Sequence, residues 1–105
     1  MSMVDSETIY KKLLLVPKGK VTTYKCLAIA CGTKAFRLVG QILSKNPYAP
    51  IVPCHRVVKS DGKVGGFCGE IEGEKVNEKA KLLSDEGVEI KDGKVVDYEN
   101  KLFDF

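Results

Sequence analysis

The amino-acid sequence predicts a mainly α-helical, winged helix-turn-helix-like domain with a small β-hairpin as the wing. Two short helical segments follow one another with only Cys31, Gly32 and Thr33 between them, which is the spacing of a helix-turn-helix. Near the end of the chain, apolar residues in 88–90 and 94–96 flank Lys91-Asp92-Gly93, a pattern typical of a hairpin. A chain of 105 residues has room for one modest core, so we expect a single domain over residues 1–105.

Four helices are expected from apolar periodicity and from residues that begin or end helices. In the first helix, Ile9, Leu13 and Val16 share one face. The predicted helices cover residues 5–16, 23–30, 34–44 and 74–86. The residues expected to bound them are Pro17 after the first, Thr23 before and Gly32 after the second, Thr33 before the third, and Gly87 after the fourth.

Charge is unevenly distributed along the chain. Residues 1–67 hold 11 Lys and Arg against 3 Asp and Glu, a charge of +8, whereas residues 68–105 hold 6 against 11, a charge of −5. A basic half suits a polyanionic partner such as DNA, and the acidic end would face away from it. Such segregation also occurs on ordinary solvated surfaces, so it supports a nucleic-acid function without establishing one.

The cysteines and the apolar segments indicate the compartment. The chain has one histidine and no Cys-x-x-Cys pattern, so we expect no metal site. The sequence shows neither a signal peptide nor a long apolar span. We therefore expect a reduced, cytoplasmic monomer without a membrane partner. The four cysteines are Cys26, Cys31, Cys54 and Cys68.

The segment Pro53-Cys54-His55-Arg56 places a thiol beside the chain's only imidazole and a guanidinium. Prolines at positions 47, 50 and 53 predict a stiff, non-helical lead-in over residues 46–53. A thiol reacts as the thiolate, which a base or a cation favours. On an extended segment, proton transfer from Cys54 to His55 would need a bend or an intervening water. The alternative interpretation is a buried structural cysteine.

Five sequence blocks, in order, carry a resemblance to a known family. They are Val16 to Tyr24, Ala35 to Gly40, Asn46-Pro47 with Pro53 to Val57, Val64 to Gly69, and Leu82 to Gly87. Together they strongly resemble the O6-alkylguanine-DNA alkyltransferases, also called methylated-DNA–protein-cysteine methyltransferases. The resemblance extends over about residues 9–90, and it implies the C-terminal, DNA-binding and active-site domain of that family.

The resemblance implies DNA repair by a stoichiometric, single-turnover transfer. The Cys54 thiolate would attack the alkyl carbon on O6 of a guanine flipped out of the duplex, guanine would leave through O6, and the protein would retain a thioether. His55 would take the thiol proton through a water, and Glu86 would orient and charge-balance His55. The partner would be double-stranded DNA containing O6-alkylguanine, and no cofactor would be required.

Three further residues receive roles from the resemblance. Tyr24 would donate a proton to the leaving guanine oxygen, although a half-buried tyrosine without that role is the alternative. Arg37 would enter the duplex and fill the gap left by the extruded base, the alternative being an ordinary surface arginine. Asn46 would tie the recognition helix to the active-site loop.

The resemblance also implies the DNA-binding surface and the substrate pocket. Phe36, Leu38 and Gln41 are bulkier than the small residues typical of the family, so Phe36 would be either an apolar wedge between bases or a core residue. Cys68 stands where serine is common and would be a small wall residue or an oxidation partner of Cys54. The expected DNA contacts are Thr23, Tyr24, Lys25, Ala35, Phe36, Arg37 and Gly40. The expected pocket walls are Val57, Phe67, Cys68 and Gly69.

Other functions fit part of the sequence. An alkyltransferase-like damage-recognition protein would bind alkylguanine without repairing it, but relatives of that kind lack the reactive cysteine, so Cys54 argues against it. A winged-helix regulator would use residues 23–44 in the major groove and would leave residues 53–56 unexplained. A cysteine hydrolase would need an oxyanion hole, and no such loop is recognisable in the sequence.

Overall fold

The computed structural model describes residues 5–48, 51–65, 74–103 and 105. Helices dominate these ranges and two small sheets accompany them, so the mainly α, winged helix-turn-helix-like fold is confirmed. None of the helices in these ranges is long and apolar enough to cross a bilayer. In chain order the elements are α1 (Ser6–Leu13), β1 (Thr22–Thr23), α2 (Tyr24–Ala30), α3 (Phe36–Ser44), a 3₁₀ turn (Cys54–Arg56), β2 (Val57–Val58), α4 (Glu74–Asp85), β3 (Ile90–Lys91), β4 (Lys94–Val95) and α5 (Tyr98–Lys101).

Helix α1 ends three residues earlier than predicted. Its first turn is closed by Asp5, whose Oδ1 accepts a hydrogen bond from the Thr8 amide at 2.8 Å. At the other end, the Val16 amide donates to the carbonyl of Leu13 at 3.0 Å, an i to i−3 bond that tightens the chain before Pro17. Ile9, Leu13 and Val16 are nevertheless all buried, as their shared face predicts.

The helix-turn-helix is built from α2 and α3. Thr23 caps α2, since its Oγ1 accepts a hydrogen bond from the Cys26 amide at 2.9 Å. Gly32, at φ +78°, ends α2 and lets the Thr33 amide reach the Ala28 carbonyl at 3.0 Å. The cap predicted at Thr33 is wrong. Its Oγ1 instead accepts from the Ala35 amide at 3.0 Å, forming a turn, and α3 begins two residues later than expected.

Two small sheets complete the fold. Strands β3 and β4 form the predicted hairpin, with Ile90 opposite Val95 and a tight turn at Asp92 and Gly93, both at positive φ. The parallel pairing of β1 with β2 was not predicted from the sequence; it places Thr22 opposite Val57. Helix α5 was not predicted either. It is followed by a parallel bridge from Leu102 to Val21, which fixes the end of the chain beside β1.

The core has two parts, and strand β2 contributes to both. Val57 belongs to the larger cluster with residues of α1, α2 and α3, and Val58 belongs to a smaller cluster with Leu83 and the hairpin. Because neighbouring strand residues point to opposite faces, the two-residue strand β2 joins the helix-turn-helix to α4 and the wing. Cys54, three residues before Val57, belongs to the larger cluster.

Candidate active site and DNA-binding surface

Cys54 begins a tight 3₁₀ turn directly after the proline-rich lead-in. The Cys54 amide donates to the Val52 carbonyl at 2.8 Å, and the Arg56 amide donates to the Pro53 carbonyl at 2.9 Å. The described residues of the lead-in are non-helical, as predicted. The 3₁₀ turn supplies a bend between Cys54 and His55, one of the two routes that the sequence left open. Cys54 is 6% exposed, so the thiol is buried rather than displayed.

Glu86 connects the two residues that follow Cys54. Its Oε2 lies 3.0 Å from Nε2 of His55 and 2.6 Å from Nη2 of Arg56, while its Oε1 accepts from Nε of Arg56 at 2.9 Å. Arg56 also donates to the Val16 carbonyl at 2.7 Å. The carboxylate therefore binds the guanidinium in a bidentate manner and orients the imidazole at the same time.

Glu86 is placed by the end of α4. Gly87, at φ +90°, allows the Val88 amide to donate to the Leu83 carbonyl at 2.9 Å, which closes the helix in a Schellman motif. Glu86 is consequently the C-cap residue, where the helix dipole disfavours a carboxylate. The cationic Arg56 compensates for that position, and no local pattern in the sequence indicates this pairing.

The pKa shifts describe the charge state of this cluster. Burial alone would raise the pKa of Glu86, but the hydrogen bonds and charges of Arg56 and His55 outweigh it, and the pKa lies below its usual value. The pKa of His55 lies below its usual value, mainly because the imidazole is buried. Glu86 raises this pKa, whereas the positive charges of Arg56 and Lys79 lower it. At neutral pH Glu86 is therefore ionised and His55 is neutral, so their contact is a hydrogen bond rather than an ion pair.

The tautomer of His55 follows from its partner. A carboxylate accepts hydrogen bonds only, so the neutral imidazole carries its proton on Nε2, facing Glu86, and its lone pair on Nδ1. Nδ1 is buried, and none of the described residues forms a hydrogen bond with it. The basic nitrogen of His55 is therefore Nδ1, which does not contact Glu86.

Asn46 links the end of α3 to the segment that leads to Cys54. Its Nδ2 donates to the Val52 carbonyl at 2.9 Å, and its Oδ1 accepts from the Tyr48 amide at 2.9 Å. Val52 is also the acceptor for the Cys54 amide. The side chain therefore makes the connection between helix and loop that was expected, while any part in catalysis stays a prediction.

Tyr24, the first residue of α2, packs against the larger core cluster, which includes Cys54 and residues of α3. Its pKa is raised, first by burial and second by an electrostatic interaction with Cys54. A methyl group added at Gly40 would lie 3.9 Å from two atoms of the Tyr24 ring, so the ring packs over this glycine of α3. A phenol in this place stays protonated at neutral pH and can act as a proton donor.

An open groove runs along α3 and carries most of the predicted DNA-binding residues. Arg37, Ala35 and Lys25 are exposed, and Phe36 and Leu38 are each 39% exposed. Phe36 is thus a surface residue, and of its two predicted placements the core one is wrong. The groove is lined by Tyr24, Lys34, Ala35, Phe36, Arg37, Leu38, Gly40, Gln41 and Ser44.

Two predicted site residues are placed elsewhere by the structure. Thr23 is 2% exposed and uses its hydroxyl to cap α2, so its side chain is not available to DNA. Val57 is fully buried in the core opposite Thr22, so its side chain is not an accessible pocket wall. The other predicted pocket residues, Phe67, Cys68 and Gly69, lie outside the described residues.

Lys79 is a residue that the sequence analysis missed. It is fully buried on α4, and its Nζ donates to the carbonyls of Val57 and Val64, each at 2.6 Å. Burial lowers its pKa to about 7, against an opposing effect of Cys54. A lysine among many in a polar helix gives no sequence signal of this kind. Within the described ranges, no group of three or more His, Cys, Asp or Glu side chains could hold a metal ion.

Comparison with known proteins connects this geometry to a family. Residues 6–88 match the family described as 6-O-methylguanine DNA methyltransferase, DNA binding domain. The chain is 43% identical over 90 residues to a methylated-DNA–protein-cysteine methyltransferase of Pyrobaculum aerophilum, covering 83% of this chain and 57% of that protein. It is 40% identical over 88 residues to a bifunctional methyltransferase/endonuclease of Picrophilus torridus, covering 83% of this chain and 28% of that protein.

Two solved structures show the same fold. The Mycobacterium tuberculosis OGT in complex with DNA superimposes with a TM-score of 0.70 at 36% identity, covering 82% of this chain and 51% of that one. S. pombe Atl1 in complex with damaged DNA containing O6-carboxymethylguanine superimposes with a TM-score of 0.81 at 27% identity, covering 100% of both chains. The present chain spans little more than half of the Pyrobaculum protein, and it belongs to the 6-O-methylguanine DNA methyltransferase family, of which it contains the DNA-binding domain.

Proposed function

We propose that this protein repairs DNA by transferring an alkyl group from O6 of guanine to Cys54, in one irreversible turnover per molecule. The observation that carries the proposal is that Cys54 directly precedes His55 in a tight turn and that the His55 imidazole is held by Glu86, which also binds Arg56. A buried thiol next to a neutral imidazole, whose proton-bearing nitrogen is fixed by a carboxylate, has the arrangement of an activated nucleophile.

The proposed reaction assigns each proton and bond. Nδ1 of His55 takes the thiol proton, directly or through a water, and leaves the Cys54 thiolate. The sulfur attacks the alkyl carbon, a carbon–sulfur bond forms, and the bond from that carbon to O6 breaks with its electron pair on the guanine. Tyr24 donates its phenolic proton to the departing base. The product is a thioether on Cys54, a bond that is chemically inert under cell conditions.

Recognition is proposed to occur on the α3 groove. An O6-alkyl group lies inside the stacked duplex, so the nucleotide must leave the stack to reach a buried thiol, at a cost of a few kcal/mol. Arg37 and Phe36 are exposed beside Tyr24 and are placed to occupy the gap that remains. The positive charge of residues 1–67 would favour this docking on a polyanion.

A damage-recognition protein is the second candidate, because one specific observation favours it. The match to S. pombe Atl1 extends over 100% of both chains, whereas the match to the mycobacterial OGT covers 51% of that protein. A single domain of this size would then suffice for binding damaged DNA. Cys54 favours the transferase, since a protein that only recognises damage has no need of a thiol next to a fixed imidazole.

The family match concerns a DNA-binding domain and says nothing of its position in longer relatives. The chain is therefore described as the DNA-binding domain of the family, and no longer as its C-terminal domain. We propose that residues 1–105 act as one domain that carries both the DNA surface and the methyl acceptor. Double-stranded DNA with an O6-alkylguanine is its proposed partner.

The test is the loss of O6-methylguanine from a duplex oligonucleotide, measured by chromatography of its nucleosides at increasing protein-to-DNA ratios. We expect O6-methylguanine to become guanine up to one lesion per protein, and the Cys54→Ala variant to bind the duplex without converting it. A matched Cys26→Ala variant should behave like the unmutated protein. Tight, lesion-selective binding with no conversion would replace the transferase with the damage-recognition protein.

A further inference from the structure

We propose that Lys79 is a positioning residue for Cys54. It connects strand β2, which follows the thiol, to the chain at Val64. The inference rests on the proposed function and deepens it. It assigns a role to a side chain that the reaction given above does not use.

The first observation is the place of the Lys79 ammonium. Lys79 is fully buried, and its Nζ donates to the Val57 carbonyl and to the Val64 carbonyl, both at 2.6 Å. Val57 is the residue whose amide donates to the Cys54 carbonyl and closes the 3₁₀ turn. One cation therefore holds both the turn that carries the thiol and the chain seven residues further on.

The second observation is the backbone next to Val64. Gly65 adopts φ +76°, and a methyl group added there would lie 3.1 Å from Cγ of Lys59 and 3.9 Å from Nζ of Lys79. The positive φ and the close approach to Lys59 favour glycine at position 65, and the 3.9 Å distance shows that the main chain here lies next to the Lys79 ammonium. The expected pocket walls Phe67, Cys68 and Gly69 follow shortly after Gly65 in sequence, so Lys79 is hydrogen-bonded to the chain just before them.

The third observation concerns charge. Cys54 opposes the fall in the Lys79 pKa caused by burial, which means that the ammonium and the thiol are close enough to interact. Burying an ammonium is costly unless it is hydrogen-bonded and near a negative charge. A methionine of similar shape would leave the Val57 and Val64 carbonyls without the ammonium as donor, so the lysine holds together the two segments that flank Cys54. Its ammonium also favours the Cys54 thiolate.

The test compares Lys79→Met with the unmutated protein in two reactions of Cys54. One is methyl transfer from an O6-methylguanine duplex in a single turnover, and the other is alkylation by iodoacetamide, followed at Cys54 by peptide mapping. We expect Lys79→Met to slow both reactions by roughly tenfold or more. Methyl transfer slows because small displacements of a positioned reacting group have effects of this size, and alkylation slows because loss of the nearby cation lowers the thiolate fraction of Cys54. Affinity for the same duplex should change by less than about twofold, since Lys79 is fully buried and is not among the residues that line the α3 groove.

Two variants separate positioning from a general loss of structure. Lys79→Arg keeps a cation and its donors, so it should recover part of the alkylation rate that Lys79→Met loses. Lys81→Met removes an exposed lysine two residues further along α4, which pairs with Asp85 at 3.3 Å, and should leave both rates unchanged. Unchanged rates in folded Lys79→Met, or equal losses in rate and affinity, would overturn the proposal.

Alkylation by iodoacetamide keeps the test independent of the proposed function. If the unmutated protein transfers no methyl group, the transferase proposal fails while the effect of Lys79 on Cys54 is still measured. If neither Lys79 variant folds, NMR of the unmutated protein labelled with 15N-lysine decides. One ammonium with slowly exchanging protons and nuclear Overhauser effects to Val57 and Val64 would support the inference, and an ammonium in free exchange would overturn it.

Discussion

Glu86 accepts a hydrogen bond from Nε2 of His55 at 3.0 Å, and this contact decides which nitrogen of His55 is basic. The same carboxylate binds Arg56 through both of its oxygens, so it cannot rotate away from the imidazole without breaking two further bonds. The orientation of His55 is therefore fixed by a residue at the end of α4, thirty-one positions away in sequence. Interactions of this kind determine the predictions that follow.

Glu86→Gln should slow methyl transfer by roughly 10²-fold, the size of a typical general-base contribution. In either orientation, the NH₂ group of the new amide faces an N–H group of His55 or Arg56. The proton of His55 is then no longer held on Nε2, and Nδ1 is less often the unprotonated nitrogen. Binding to the lesion duplex should change by less than about twofold. Single-turnover kinetics and fluorescence anisotropy measure the two quantities, with the exposed Glu89→Gln as control. A normal rate in Glu86→Gln would contradict the assigned tautomer.

Arg37→Ala should weaken binding to O6-methylguanine DNA more than binding to undamaged DNA. Only the lesion-bound state uses the side chain to fill the gap left by an extruded base, whereas both states gain from its charge. Lys34→Ala, in the same groove, should weaken both complexes equally. Competition binding at fixed salt measures the ratio of the two affinities. If Arg37→Ala lost the same affinity for both DNAs, Arg37 would be only a phosphate contact and would not fill the gap left by the base.

Gly40→Ala should stabilise the free protein and weaken its complex with DNA. The added methyl group lies at ordinary contact distance, 3.9 Å, from the Tyr24 ring, so the protein accommodates it. Replacing a helical glycine by alanine stabilises a helix by about 0.5–1 kcal/mol. The same methyl group narrows the groove beside Tyr24. Urea unfolding and DNA titration measure the two effects, and unchanged affinity would show that DNA does not approach α3 at this glycine.

Asn46→Ala should lower the free energy of unfolding by about 1–3 kcal/mol, because it removes two hydrogen bonds, the exposed one from the Tyr48 amide and the partly buried one to the Val52 carbonyl. Asn100→Ala is the matched control. That side chain also makes a hydrogen bond, to Asp97 at 2.8 Å, but on the exposed surface, so its loss should cost less than about 1 kcal/mol. Chemical denaturation of the two variants checks the difference. Equal effects would mean that Asn46 does not fix the lead-in to Cys54.

Stability should rise with pH above neutrality because of Lys79. Its pKa is about 7 in the folded protein, against 10.5 as the ordinary value, so between these limits the unfolded chain binds more protons than the folded one. The gain in stability from Lys79 is complete above the pKa of the unfolded chain and is lost as the pH falls to the pKa of Lys79 in the folded protein. The slope between about pH 7 and pH 8.5 should approach 1.4 kcal/mol per pH unit. Urea unfolding across this window should show the slope in the unmutated protein, and its persistence in Lys79→Met would assign it to another group.

Local patterns account for the part of the fold that sequence predicted well. Thr23 begins α2 with a hydroxyl cap, and Gly32 ends it at a positive φ. Both are properties of the residue types themselves. The hairpin follows from Asp92-Gly93 in the same way. The false cap at Thr33 shows the limit of such reasoning, since its hydroxyl serves a turn as readily as a helix.

Tertiary contacts account for what sequence could not predict. The parallel pairing of Thr22 with Val57 joins two-residue strands far apart in the chain, which no local periodicity encodes. Lys79 and Arg56 act through burial and through partners on other elements, so their types and neighbours in sequence do not distinguish them from surface cations. The burial of Thr23 and Val57, which removes both side chains from the predicted site, is also a property of the packed structure.

The most direct measurement of the central claim is the mass of the intact protein after incubation with a duplex containing one O6-methylguanine, followed by peptide mapping. The account predicts a single added methylene unit per molecule, located on Cys54 and absent from Cys26 and Cys31. An unchanged mass in a folded protein that binds the lesion, or a methyl group located on any other residue, would contradict the assignment of Cys54 as the acceptor.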